Sequence, residues 1–343
     1  MIDVLNLASS KQRRMASVDN FSFLFQGINR NLRVYEEILA IIGLLYVGKT
    51  AFAFTWSFLQ GVHTHVLARF RRLDLTRYGK WAVVTGGTDG IGKEYARALA
   101  KHGLNIIIIS RSKEKLEKTA QEIEKDFKVQ TYIIQTDFAA GREIYNNISK
   151  QLEDKEIGIL INNVGVMYDY PETFMNVPEK KLWELININI ASVTMMTYII
   201  IPQMVRRKKG VVVNMSSISS FHPLPLMAVY SASKVFVDWF SRALSYEYKD
   251  QGIVVQSLIP SYISTNLTRF SSFLQRPSFI VPDAKRFVNS AIQTIGVSNR
   301  TTGFWSHGLQ YWMYDFMPAS VWYRTSWLMQ KVIDTHKRNE KKE

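Results

Sequence analysis

The sequence predicts an α/β protein: a Rossmann-type doubly wound parallel sheet with an N-terminal apolar helical segment and an aromatic-rich C-terminal extension. Three observations lead there. From Lys80 onward, short continuous apolar runs alternate with helical stretches. A glycine-rich turn, 85–92, follows the first run and opens a helix. Asn-, Ser- and Pro-containing motifs then stand directly after the later runs. Strands apolar along their whole length belong to a parallel sheet covered on both faces. Right-handed crossovers wind such a sheet and place ligands at the carboxyl ends of its strands.

The elements fall in order. Trp81–Val84 is a first strand and Lys93–His102 a helix. Asn105–Ser110 (NIIIIS) is a second strand, Lys113–Phe127 a polar amphipathic helix and Thr131–Gln135 a third strand. Ile157–Ile161, Gly210–Met215 and Ile253–Ile259 follow as strands, with apolar helical stretches between them. Three parts are expected: a basic, membrane-associated segment over 1–77, the sheet domain over 78–300, and an extension with a basic tail over 301–343.

Composition narrows the function. Of 343 residues, 47% are hydrophobic and 21% charged, which excludes a disordered, collagenous or coiled-coil chain. With no cysteine there is no disulfide, thiolate metal site or cysteine nucleophile, and no metal-ligand spacing stands out. The net charge of +14 favours polyanions such as phosphorylated cofactors or an anionic membrane surface. No zinc-finger, RNP or basic-zipper pattern appears, so a nucleic-acid partner is not expected.

Residues 1–80 carry 11 Lys and Arg against 5 Asp and Glu. Within them, Ile38–Val62 is an apolar run whose sole charge is Lys49. As a helix it extends about 37 Å, enough for a bilayer core of about 30 Å. A central lysine costs about 2.5–3.5 kcal/mol on insertion scales. The run is read as a membrane attachment, either a span or two shorter pieces, Ile38–Gly48 and Ala51–Leu59, at the interface. The alternative is a buried amphipathic helix pair. Arg69, Arg71 and Arg72 follow, as expected on a side facing anionic headgroups.

The glycine turn reads Thr85-Gly86-Gly87-Thr88-Asp89-Gly90-Ile91-Gly92. Gly86 makes the turn, Gly90 lets the backbone approach a pyrophosphate, and Gly92 allows close helix–strand packing. The helix start offers free N–H groups and a favourable dipole to phosphate. After the second strand stand Arg111 and Ser112, where an NAD binder usually carries an acid. A guanidinium and a hydroxyl there favour a 2′-phosphate, hence NADP(H). Asp137 and Phe138 follow the third strand, placed to meet the adenine. Asn163 and Gly165, in Asn162-Asn163-Val164-Gly165, follow the fourth and line the cofactor cleft.

Tyr230-Ser231-Ala232-Ser233-Lys234 lies on a predicted helix, so Tyr230 and Lys234 share a face. An ammonium beside a phenol favours phenolate, which suits Tyr230 to acid–base work. Ser217 stands thirteen residues upstream, past the fifth strand.

Together these motifs resemble the short-chain dehydrogenase/reductase superfamily over about residues 80–300. TGGTDGIG resembles the family's phosphate loop and NNVG its NNAG. The resemblance implies a catalytic set of Asn189, Ser217, Tyr230 and Lys234. Asn189 would hold a water serving Lys234, Ser217 the substrate oxygen, and Lys234 the nicotinamide ribose. Pro260, Ile263 and Thr265 fall in the segment matching PGxxxT, and the resemblance places Thr265 at the nicotinamide amide. Ser261 replaces the usual glycine.

Within the superfamily the likeness is to a hydroxysteroid dehydrogenase-like subgroup beside very-long-chain 3-oxoacyl-CoA reductases and 17β-hydroxysteroid dehydrogenases. WAVVTGGTDGIGK, GILINNVGV and RTTGFWSHGLQ carry it. It implies NADP(H)-dependent reduction of a carbonyl, or oxidation of an alcohol, on an apolar lipid. It also implies an intracellular membrane, mitochondrial or of the endoplasmic reticulum. Some relatives replace the catalytic tyrosine and are regarded as inactive; Tyr230 is intact here. A cofactor-binding scaffold with little catalysis is the competing reading, and a homo-oligomer is left open.

Phe221–Leu226 and Tyr262–Phe279, with Phe270, Phe273, Leu274 and Phe279, are expected at an apolar substrate pocket. His222 reads as a turn residue. Trp305, Trp312, Trp322 and Trp327, half of the eight tryptophans, crowd into the extension as an interfacial belt, a pocket lid or a packing face.

Overall fold

The computed structural model describes residues 2–268, 274–315 and 317–340. The chain divides into two compact units, Met1–Gln60 and Gly61–Glu343.

The first unit is helical. Helix α1, Ile2–His65, begins there and runs without interruption through Lys49. Of the two readings, one helix or two shorter pieces broken near Lys49, the single helix is the one formed. Lysine is a good helix former, and the Thr50 hydroxyl bonds the Tyr46 carbonyl one turn back. Apolar side chains of α1 lie exposed on all sides over residues 38–59, among them Leu44, Leu45, Phe52 and Trp56. The buried helix pair is not formed.

The second unit carries the sheet. Strand β1 (Trp81–Thr85) is followed by α2 (Gly90–Lys101), β2 (Asn105–Ser110), α3 (Lys113–Phe127) and β3 (Thr131–Gln135). Next come α4 (Ile144–Leu152), β4 (Ile157–Asn162), α5 (Glu179–Ile186), α6 (Ser192–Arg207) and β5 (Gly210–Met215). Then follow α7 (Ala228–Glu247), β6 (Ile253–Leu258), α8 (Ala284–Ala291), β7 (Arg300–Thr301), α9 (Trp305–Asp315) and α10 (Ala319–Glu340). The seven strands are parallel, in the order β3-β2-β1-β4-β5-β6-β7. The order reverses at β1, which opens a crevice between the ends of β1 and β4.

Two apolar layers follow from the period of two along each strand. Ala82, Val84, Ile106 and Ile108 face one layer with Tyr95, Leu99 and Phe287. Val83, Ile107, Ile109 and Leu160 face the other with Tyr145, Met196 and Met204. Burial on both sides explains why β2, β4 and β5 read as unbroken apolar runs. Between α5 and α6, residues Asn187–Ala191 form a π turn.

Candidate active site

The glycine turn is held from below. Gly86 adopts φ +65°, a conformation that favours glycine. A Cβ on Gly92 would collide with the Gly86 carbonyl and the Asn163 amide. Asn163 braces this turn: its Nδ2 donates to the Thr85 carbonyl at 3.0 Å and the Gly86 carbonyl at 3.3 Å. The Asn163 amide expected to serve the cleft is thus spent on the turn's own backbone. Asn162 reaches the other way, donating to Thr197 Oγ1 at 3.0 Å and Asn214 Oδ1 at 2.8 Å beneath the strand ends.

A single cavity of about 770 Å³ runs across these strand ends. One end is lined by Gly86, Thr88, Asp89, Gly90 and Ile91 of the glycine turn, with Arg111 and Ser112 after β2. Asp89 caps α2, accepting from Gly90 N at 2.8 Å, and Asn266 donates to its other oxygen. Ser112 Oγ caps α3, accepting from Lys115 N at 3.4 Å, which leaves its O–H free to donate elsewhere. Lys115 also lines this end, 3.8 Å from Asp89, and sequence reasoning missed it. The signal was there: Arg111 and Lys115 bracket the first turn of α3 four residues apart. Asp137 and Phe138 line the wall beside β3, where Asp137 Oδ1 accepts from Ala139 N at 2.9 Å.

The middle of the cavity holds Ser217, Tyr230 and Lys234, with Asn163, Gly165, Pro260, Ile263 and Thr265 around them. Helix α7 presents Tyr230 and Lys234 on one face, and Lys234 Nζ lies 5.7 Å from the Tyr230 ring centre. Lys234 Nζ donates to the Met215 carbonyl at 3.1 Å, and burial lowers its pKa to about 8. A Cβ on Gly165 would stand 3.4 Å from that nitrogen, so this position keeps the approach open. Burial also raises the Tyr230 pKa, with the Ser217 hydroxyl acting the other way. The lowering expected from Lys234 is not seen: desolvation of the phenolate dominates, and the groups that act against it are the Ser217 and Ser219 hydroxyls.

Asn189 and Gly92 are the two expected site residues that do not line the cavity. Asn189 sits in the π turn, accepts from Val166 N at 2.9 Å and donates to the Val166 carbonyl at 2.9 Å and Ser233 Oγ at 3.1 Å. Its side chain clamps the β4 loop to α7.

The far end is apolar. Met167, Leu224, Met227, Tyr262, Tyr314 and Trp322 line it, and the last two come from the C-terminal extension. Burial, with Tyr314 and Tyr230 nearby, pushes Tyr262 up to about 12, so it stays a neutral phenol at physiological pH. The aromatics expected here differ in part. Leu274 is buried away from the cavity and Phe279 is exposed, edge-on to Trp305 at 4.3 Å. Phe270 and Phe273 lie outside the described residues. Phe221 and His222 sit behind the wall in a turn, Phe221 edge-on to Tyr311 at 4.6 Å. No metal-holding cluster of His, Asp and Glu occurs among the described residues.

The sequence profile of the short chain dehydrogenase family matches residues 80–272. Inactive hydroxysteroid dehydrogenase-like protein 1 of Homo sapiens is 48% identical over 310 residues, 90% of this chain and 94% of that protein. Very-long-chain 3-oxoacyl-CoA reductase of Anas platyrhynchos is 47% identical over 245 residues, 71% of this chain and 77% of that protein. Among solved structures, a short-chain dehydrogenase from Sphingobium yanoikuyae in complex with NADPH superposes with a TM-score of 0.57 at 28% identity, covering 62% of this chain and 83% of that one.

Proposed function

The chain belongs to the short chain dehydrogenase family, and on that premise we propose an NADP(H)-dependent oxidoreductase acting on a carbonyl or alcohol of an apolar lipid, of steroid or 3-oxoacyl-CoA type. One observation carries this reading. Ser217, Tyr230 and Lys234 stand midway along a cavity with cations at one end and an apolar chamber at the other.

The residues present fit a phosphorylated dinucleotide. Gly86 and Gly90 keep side chains out of the turn where a pyrophosphate would approach the start of α2, and Arg111 with Lys115 suits a 2′-phosphate. Asp137 and Phe138 would border the adenine, and Ile263 and Thr265 the nicotinamide. When bound, NADPH supplies the hydride. Ser217 holds the substrate oxygen, and Tyr230 passes its phenolic proton to that oxygen. Lys234 would hold the nicotinamide ribose, and its charge stabilises the phenolate left behind. The apolar chamber excludes water from the reacting carbon.

A second reading, a cofactor-binding protein with little turnover, draws support from the word "inactive" in the name of the Homo sapiens relative. Purified protein incubated with NADPH or NADH and a panel of ketosteroids and 3-oxoacyl-CoAs separates the two. Consumption of NADPH with one panel member supports the enzyme; cofactor binding without turnover on any of them supports the second reading.

Membrane attachment belongs to the same proposal. Helix α1 is apolar on every side over 38–59, the pattern of a span rather than of a helix lying in the interface. An intracellular membrane, of the reticulum or the mitochondrion, is the expected site, and subcellular fractionation distinguishes them. Exposed Phe236, Trp239 and Tyr246 along one face of α7 support a homo-oligomer.

A further inference from the structure

Helix α10 has two unlike faces. Ser326 and Gln330 are buried, and Trp322 donates Nε1 to the Pro223 carbonyl at 3.0 Å. These three line the apolar end of the cavity with Met329. The opposite face would be polar in an ordinary surface helix. Here Val321, Tyr323, Trp327 and Leu328 are exposed by 43%, 41%, 40% and 57%. Arg324 and Lys331 are interleaved with them, and Lys331 Nζ lies 4.0 Å from the Trp327 ring centre. No Asp or Glu falls within residues 319–331.

Helix α9 continues the pattern. Trp305, Leu309 and Met313 are exposed at intervals of four, and Tyr314 meets Trp322 edge-on at 5.0 Å, tying the two helices together. Over residues 319–331, aromatic and aliphatic side chains mixed with cations and without an acid match the headgroup region of a bilayer, where rings sit at the polar boundary and cations meet anionic lipid. A water-facing surface needs no such face.

We propose that α10 is an in-plane membrane helix: its outer face seats on an anionic lipid surface while its inner face walls the substrate end of the cavity. This contact is separate from α1. It rests on the reading of the cavity above only for its consequence, that an apolar substrate reaches the chamber past α10 from the bilayer.

The cysteine-free chain makes the test direct. In full-length protein, Leu328→Cys introduces the sole thiol, which is labelled with an environment-sensitive fluorophore. Leu44→Cys on α1 reports the anchor, and Lys125→Cys on the exposed side of α3 reports water. Each labelled protein is reconstituted in phosphatidylcholine–phosphatidylserine vesicles with and without a spin-labelled quencher lipid. The label at 328 is expected to lose most of its fluorescence to the quencher, while the label at 125 keeps it. Replacing phosphatidylserine by phosphatidylcholine, or adding Arg324→Gln with Lys331→Gln, should weaken the quenching at 328 several-fold. Equal emission at 328 and 125 overturns the proposal. A label at 328 that is blue-shifted yet unquenched also overturns it, showing a protein partner such as a second copy. Quenching at 328 that is indifferent to phosphatidylserine overturns the anionic seat. Quenching at 44 without quenching at 328 leaves the anchor reading standing and this one fallen, and the reverse result does the opposite. None of these readouts depends on turnover.

Discussion

Ser261 Oγ donates to Gln310 Oε1 at 2.7 Å, so the loop after β6 is fastened to α9 by the one residue of its motif that departs from the family pattern. Gln310 Nε2 in turn donates to the Ile280 carbonyl at 3.1 Å. Gln310→Leu leaves a mostly buried serine hydroxyl without its acceptor, at a cost of about 1–3 kcal/mol. Urea unfolding is expected to show that loss, and Ser261→Gly, which removes the hydroxyl as well, should show a smaller one. Equal losses would mean that the hydrogen bond contributes nothing beyond packing.

Arg111 and Lys115 are expected to select the 2′-phosphate together. Arg111→Asp replaces attraction by repulsion and should weaken NADPH by about 100-fold or more while leaving NADH nearly unchanged. Lys115→Gln should weaken NADPH by about tenfold. Fluorescence titration with both cofactors measures this. Parallel losses for NADPH and NADH would remove both residues from the phosphate.

Tyr230→Phe keeps the ring and its packing and removes the proton. Turnover on the substrate found in the panel should fall by about 10²–10⁴. The cofactor dissociation constant should change little, because the proposed role directs the phenol at the substrate oxygen rather than at the cofactor. Turnover within a few-fold of wild type would assign the proton to another group.

Lys234 is buried as a cation, and burial holds its pKa at about 8. The unfolded chain binds that proton up to its ordinary value of about 10.5. Between those values the unfolded state carries more protons, so the protein's stability rises with pH; below about 8 the full cost of burying the charge is present. Lys234→Met should therefore stabilise the cofactor-free protein at neutral pH, by at most about 3 kcal/mol, while abolishing turnover. The difference from wild type should shrink as the pH climbs from 8 toward 10. Thermal melts across that window test it, and a difference independent of pH would show that the ammonium is solvated.

The anchor is a matter of alkaline extraction. Full-length protein is expected to stay with the membrane in sodium carbonate. A chain beginning at Gly61, where the second unit starts, should be released, because carbonate strips interfacial contacts such as that of α10 but not spans. Full-length protein in the soluble fraction would remove the span.

Much of this is legible in the amino-acid sequence. β2, α3, β3 and β5 fall at the residues their sequence patterns indicate, since each is a continuous or periodic run bounded by turn formers. β7 was missed because two residues carry no period. Of the two readings of Ile38–Val62, the continuous helix holds and the two-piece one does not, because Lys49 and Thr50 accept helical dihedrals. At the site, the motifs just after strands stand around one cavity, because a parallel sheet delivers every strand's carboxyl end to the same edge. Tyr314 and Trp322 belong to the aromatic cluster for which a pocket lid is one reading, but nothing local selects them from their neighbours, and Gln330 carries no mark at all. They reach the cavity through packing of a segment about a hundred residues distant from Tyr230, which no short pattern encodes.

The π turn at Asn187–Ala191 sets the rotational phase of everything after it. It inserts one residue into what is otherwise a continuous rod from α5 into α6, and each residue of an α-helix advances by about 100°. Leu185 before it and Met196, Ile200 and Met204 beyond it are all buried, on either side of that offset. Losing one residue from the turn would let the rod close into uniform α-helix, swinging either Asn189 off Val166 or the α6 stripe off the sheet. The segment thus works as a one-residue frame shift built into a helix, and its length, more than its composition, is what keeps the clamp and the core in register.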